Sequence, residues 1–248
     1  MATTLDHILD LYRTHRDDLA RLRQAQRHHH RTADPAMTPQ LDDIEAEITY
    51  LLIRHHTPRN VVEIGTYYGW STTWILAALR DNGTGHLHSF DIVDHAPRHV
   101  PHDLAATRWT FTKGDVRTNT HLLPSPTDYL FIDAAHNGRF ARWYTRDLLP
   151  TLAPRTPVSV HDVFHQRHTL PFTEGAVVLN WLTAHTTDYF TASAARAPHH
   201  HQAITDLKKE LGLHTPVHTP GRNPMIYFHT PQPAPNRTTT APHTTRTA

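Results

Sequence analysis

The sequence has no cysteine, which excludes disulfide bridges and thiolate metal sites. It has no appreciable charge surplus either: 24 lysines and arginines stand against 23 aspartates and glutamates. A broad nucleic-acid footprint needs a clustered basic excess, so no nucleic-acid partner is expected. No apolar run approaches a membrane span or the core of a signal peptide, and a soluble, cytoplasmic protein with no membrane partner is the expectation.

What is abundant is histidine, 25 in 248 residues, with runs at His28-His29-His30 and His199-His200-His201. Both runs lie in polar, weakly patterned stretches, so the surplus reads as solvated composition rather than a metal store. Residues 231–248 are almost all Pro, Thr, Ala, His, Arg and Asn. Such a stretch buries too little apolar surface to offset its ordering entropy, and a disordered tail is expected there.

The remainder is long enough for one α/β domain with a full core. Residues 4–24 carry apolar side chains at helical spacing, and residues 27–38 read as a polar connection. A second helix is expected to start at Thr38-Pro39-Gln40-Leu41, with Asp42, Asp43 and Glu45 at its positive dipole end, and to stop near Pro58. From there strands and helices alternate. Strands are expected at 61–64, 86–91, 109–112, 128–133, 157–161 and 225–228, with helices at 71–79, 139–152 and 176–186. This alternation predicts a doubly wound, mainly parallel Rossmann-like α/β sheet. The division is an N-terminal helical extension or cap over 1–56, a sheet domain over 57–230 and the tail over 231–248.

Ligands of such sheets sit beyond the carboxyl ends of the strands. At the first of these, Val61-Val62-Glu63-Ile64 runs into Gly65-Thr66-Tyr67-Tyr68-Gly69-Trp70-Ser71, where a helix opens. Glycine permits the tight turn and a close ligand approach, and the helix start offers free N–H groups. There is no Gly-Lys-Ser/Thr for a phosphate, and residue 67 is Tyr where a dinucleotide loop has its second Gly. Glu63 suits a cation better than a pyrophosphate.

The Glu63-x-Gly65-x-x-x-Gly69 pattern resembles the first motif of class I S-adenosylmethionine-dependent methyltransferases. The resemblance implies S-adenosylmethionine (SAM) as cofactor, with the loop of Gly65, Thr66, Tyr67, Gly69 and Ser71 around its amino-acid end and Glu63 near its ammonium. Asp91, ending the second strand, is placed to accept hydrogen bonds from ribose hydroxyls. Asp115 and Val116, after the third, would lie along the adenine; an ordinary turn-capping role for Asp115 stays open.

After the fourth strand comes Asp133-Ala134-Ala135-His136, and after the fifth His161-Asp162; adjacent strand ends bring these into one pocket. The pair of motifs resembles the metal-dependent O-methyltransferases of the catechol and macrolide-sugar types. It implies a divalent metal on Asp133, His161 and Asp162, with Asp133 also bordering the cofactor, and His136 as the base. Those relatives carry Asp or Glu where this chain has His161. Mg²⁺ is the ion expected first; an imidazole ligand moves preference toward Mn²⁺, Fe²⁺ or Zn²⁺, which stay open, as does an orienting role for His161.

The implied activity is transfer of a methyl group to a hydroxyl of a small molecule, a sugar or other part of a bacterial secondary metabolite such as an antibiotic. Alternatives are metal-free N-methylation of a small amine and a non-catalytic nucleoside- or metal-binding module of the same fold. A homo-oligomer is compatible with the sequence. Residues 165–175 are expected near the acceptor site, with 164–172 as a polar lid, and Tyr67, Tyr68 and Trp70 either line the acceptor site or belong to the core.

Overall fold

The computed structural model describes residues 3–32, 37–164, 172–219 and 221–232. Nearly all of the expected tail and residues 165–171 of the expected lid lie outside them.

Seven strands form one sheet: β1 (Asn60–Ile64), β2 (His86–Asp91), β3 (Trp109–Lys113), β4 (Tyr129–Ile132), β5 (Pro157–Val160), β6 (Tyr189–Phe190) and β7 (Ile226–His229). Their order is β3-β2-β1-β4-β5-β7-β6. The first five pair in parallel, while β7 is antiparallel to both β5 and β6. This is the expected Rossmann-like methyltransferase sheet with a helical N-terminal region.

Strand alternation sends successive side chains to opposite faces. On one face Val61, Leu87, Tyr129 and Phe131 pack against helices α1 (Leu5–Thr14), α2 (Arg16–Thr32), α3 (Asp43–His56) and α4 (Trp70–Asn82). Two single-turn helices, α5 (Ala96–His99) and α6 (His102–Ala105), sit between β2 and β3. On the opposite face Val62, Ile64, Leu130, Ile132 and Val160 pack against α7 (Gly138–Trp143) and α8 (Glu174–Ala184). Each such side chain, fully buried, contributes about 1.5–3 kcal/mol. The last described helix, α9 (Pro198–Glu210), returns to α1, and its Lys208 reaches Glu47 of α3. No helix of the described residues is long and apolar enough to cross a membrane.

Several local expectations change. The first expected helix is two, broken at His15, and α2 runs on to Thr32, so His28-His29-His30 is helical rather than part of a polar connection. The second begins at Asp43, because Asp42 and Glu45 close a reciprocal capping box that Thr38-Pro39 lacks. The expected helix over 139–152 is α only as far as Trp143, then π over Tyr144–Leu148 and 3₁₀ over Leu149–Thr151. The second histidine run lies in α9, which opens on Pro198 at its first turn.

Buried charge ties the N-terminal helices together. Glu47 on α3 is fully buried; it accepts from Tyr12 Oη at 2.7 Å and from Lys208 Nζ at 3.0 Å, and pairs with the buried Arg23.

Candidate active site

The rim of the parallel strands is stitched by backbone hydrogen bonds that continue past the strand ends. Gly114 N donates to Asp91 O, Gly65 N to Phe90 O, Asp133 N to Ile64 O and His161 N to Ile132 O, at 2.7–2.9 Å. These bonds set the residues leaving five neighbouring strands side by side.

Over this rim lies a cavity of about 630 Å³, lined on the motif side by Gly65, Thr66 and Tyr67, then by Asp91, Asp115, Val116, Asp133 and His136. Ile64, Phe90, Ile92, Val93 and Phe140 give it apolar walls. Seven of the ten expected cofactor residues and the expected base therefore meet in one place. The size and mixed lining are those of a small-molecule site.

Glu63, Gly69 and Ser71 do not line it. Alternation turns Glu63 to the α4 face of β1, where it is fully buried. Its carboxylate accepts from Ser71 Oγ at 2.6 Å, Thr72 Oγ1 at 2.9 Å and Ser89 Oγ at 2.6 Å. Burial nevertheless pushes its pKa up to about 7. Gly69 precedes α4 with φ +86°, and a Cβ there would press on Val100 and Ala96, so packing accounts for it. Gly65 is different: a Cβ would overlap the Asp133 carbonyl, and its φ is +89°. Its smallness lets β1 and β4 deliver their ends to the same place.

Asp91 orders the motif loop from the next strand. Its Oδ2 accepts from the backbone N–H groups of Thr66 and Tyr67, both at 2.7 Å, while Oδ1 accepts from Val93 N at 3.0 Å. Asp115 caps the short 3₁₀ turn Val116–Thr118 and pairs with Arg117 at 2.6 Å, which holds its carboxyl below the usual range. The turn-capping role is thus real, and the residue borders the cavity as well. Of the aromatic residues, Tyr67 borders the cavity, Tyr68 stacks on His95, and Trp70 is buried against Trp74.

At the β4 and β5 ends, His136 and His161 stand around Asp133 and Asp162. His136 Nε2 lies 3.4 Å from both Asp133 Oδ1 and Asp162 Oδ2, and its Nδ1 lies 3.3 Å from Glu174 Oε2. His161 Nδ1 lies 3.1 Å from Asp133 Oδ1 and 3.4 Å from Asp162 Oδ1, and its Nε2 lies 3.3 Å from Glu45 Oε2. Donor atoms of Asp133, His136 and His161 all fall within 4.8 Å of one another. Burial lowers the His136 pKa, but Glu174, Asp133 and Asp162 outweigh it and the net direction is up. For His161 burial is again overcome, by Asp133 and Glu45, and its pKa stands well above the ordinary value. Ala135, His136 and Asp162 all have left-handed backbones, φ +53°, +34° and +55°. Such strain on non-glycine residues costs about 1–3 kcal/mol each and gathers at functional sites.

Glu45 and Glu174 did not emerge from the sequence as site residues. Glu45 was readable as half of an Asp-x-x-Glu capping box. Glu174 carried no signal beyond an acid at a helix start.

A methyltransferase domain family matches residues 62–163, the stretch that runs from within β1 through β5 and holds the strand-end residues from Gly65 to Asp162. No curated protein sequence matches the chain. Among solved structures, the chain is similar to the O-methyltransferase from Bacillus cereus in complex with S-adenosylhomocysteine (SAH), at TM-score 0.56 and 14% identity, over 88% of this chain and 90% of that one. It is similar to TomG from Streptomyces achromogenes, an O-methyltransferase of tomaymycin synthesis in complex with SAM, at TM-score 0.54 and 17% identity, over 87% and 90%. An SAH-bound methyltransferase from Podospora anserina aligns at TM-score 0.52 and 16% identity, over 71% and 82%. At these identities the likeness is one of fold.

Proposed function

We infer the function from one premise: the chain resembles the class I SAM-dependent methyltransferases in its domain match and its fold. We propose that it transfers a methyl group to a hydroxyl of a small molecule, a sugar or another part of a secondary metabolite. The observation that carries this reading is that Asp91 and His136 border one cavity. One is a nucleoside-binding carboxylate in kind, the other a base in kind.

The residues fit the cofactor. Gly65 keeps the floor of the cavity bare, Asp91 Oδ1 has acceptor capacity for a ribose hydroxyl, and Phe90, Ile92, Val116 and Phe140 offer apolar contact for a purine. When bound, SAM supplies an activated methyl on a sulfonium. The chain's own work is to hold the acceptor in line with that methyl and to take its proton. His136 Nε2, facing the two carboxylates at the cavity, takes that proton; Glu174 behind Nδ1 steadies the resulting imidazolium.

A divalent ion fits the same rim. His161 Nδ1 is buried and has no aligned hydrogen-bond partner, and it faces the oxygens of Asp133 and Asp162. Asp133, Asp162 and His161 would hold the ion, whose contribution would be to make a hydroxyl acceptor easier to deprotonate.

Calorimetry with SAH, a panel of hydroxylated acceptors and a chelator arm test the proposal. SAH binding with methyl transfer to a hydroxyl, abolished by the chelator, is the expected outcome. SAH binding without any transfer favours a non-catalytic module, and transfer that survives chelation removes the ion. No heat with SAH sinks the reading.

A further inference from the structure

Glu45 comes from α3, outside the strand ends that carry the other site residues, yet its carboxylate meets the far side of His161. It is 2% exposed and already accepts two backbone N–H groups, Asp42 N at 3.1 Å on Oε2 and Met225 N at 3.0 Å on Oε1. A carboxylate in that position is an acceptor. The proton between it and His161 therefore belongs to Nε2 of the imidazole. With Nε2 donating to Glu45, an ion beside Asp133 and Asp162 would take the place of any proton on Nδ1, and Nδ1 is the buried atom left without an aligned partner there. An imidazole whose second nitrogen donates to a carboxylate is oriented and made more basic as a metal ligand.

We propose that Glu45 is the positioning residue that sets His161 with Nδ1 toward Asp133 and Asp162, making a mixed nitrogen–oxygen site for Mn²⁺, Fe²⁺, Co²⁺ or Zn²⁺ in preference to Mg²⁺. The inference rests on the metal-assisted reading above. The separations of 3.1 Å and 3.4 Å between His161 Nδ1 and the two carboxylates suit donors sharing one ion at bonds of about 2.0–2.2 Å. Mg²⁺ prefers oxygen donors and near-ideal octahedra, whereas imidazole suits the later divalent ions.

The test uses the full chain stripped of metal, titrated with Zn²⁺ alone and Mg²⁺ alone. The histidine runs offer competing nitrogens, so the site's binding is the part lost in Asp162→Asn. Zn²⁺ is expected to bind at least about 100-fold more tightly than Mg²⁺. Glu45→Gln is expected to weaken Zn²⁺ about 10–100-fold and leave Mg²⁺ nearly unchanged. Because Glu45 also caps α3, a second measurement avoids any substitution at that position. ¹⁵N NMR of the Zn²⁺-loaded protein, with His161 assigned by loss of its signal in His161→Gln, is expected to show Nε2 protonated and Nδ1 bound to metal. Equal affinities, a Glu45→Gln isotherm like the wild type, no site-specific Zn²⁺ binding, or a protonated Nδ1 in the loaded protein each overturns the proposal. SAH titration runs alongside: SAH binding without metal binding defeats this inference alone, and metal binding without SAH defeats the methyltransferase reading alone.

Discussion

Glu174 Oε2 stands 3.3 Å from His136 Nδ1 across 38 residues of sequence. The two segments are joined beside that contact as well: Asn137 and Thr173 form an isolated β-bridge, and Gly138 N donates to Phe172 O at 3.1 Å. The loop after β4 is therefore held by the segment leading into α8, and the imidazole is aimed by both.

His136→Ala should lower kcat about 10²–10⁴-fold, the range a positioned general base supplies. SAH affinity should stay as in the wild type, because the proposed contacts of the ribose and amino-acid ends are with Asp91 and the 65–67 loop rather than with His136. Single-turnover methyl transfer and SAH calorimetry check both halves, and unchanged turnover removes His136 from the mechanism.

Asp91→Asn should weaken SAH binding. The carboxylate holds the N–H groups of Thr66 and Tyr67, so its loss loosens the loop as well as removing a ligand acceptor. Hydrogen bonds to a charged group are worth about 1.5–3 kcal/mol, which corresponds to roughly a 10–150-fold rise in Kd.

Glu63 predicts a pH effect on stability rather than on binding. Its folded pKa of about 7 lies above the ordinary 4.5, so between those values the folded state binds the extra proton and stability falls as pH rises. Glu63→Gln lacks that loss. Relative to wild type the variant should gain up to about 3 kcal/mol between pH 4.5 and 7, read from urea unfolding at several pH values. A pH-independent difference would contradict the assignment.

Glu47→Ala should cost about 3–5 kcal/mol in chemical denaturation, because it strands the buried Arg23 and Lys208. A loss below 1 kcal/mol would mean that water reaches the cluster.

The strand ends were legible because each short β-patterned run stops at a glycine or a polar residue, and Asp91, Asp133 and His161 all end or follow such runs. Helix starts were less so: Pro39 looks like a first-turn proline, but the reciprocal bonds of Asp42 and Glu45 outcompete it. Glu63 lies off the cavity for a parity reason. It sits in the motif at the right distance from Gly65, but the pleat sends it under α4 instead of toward the cavity. β6 is two residues long and α9 is polar over much of its length, so neither gives a hydrophobic period. Glu45 and Glu174 are distant in sequence from what they touch, and only the fold brings them in.

β7 is the last strand along the chain yet it lies inside the sheet, between β5 and β6. The segment just before it supplies the N–H groups of Asn223 and Met225 to Asp42 and Glu45. A ribosome must therefore translate past residue 229 before the sheet closes and Glu45 acquires its full set of donors. Until then a nascent chain carries a gap beside β5, where His161 begins.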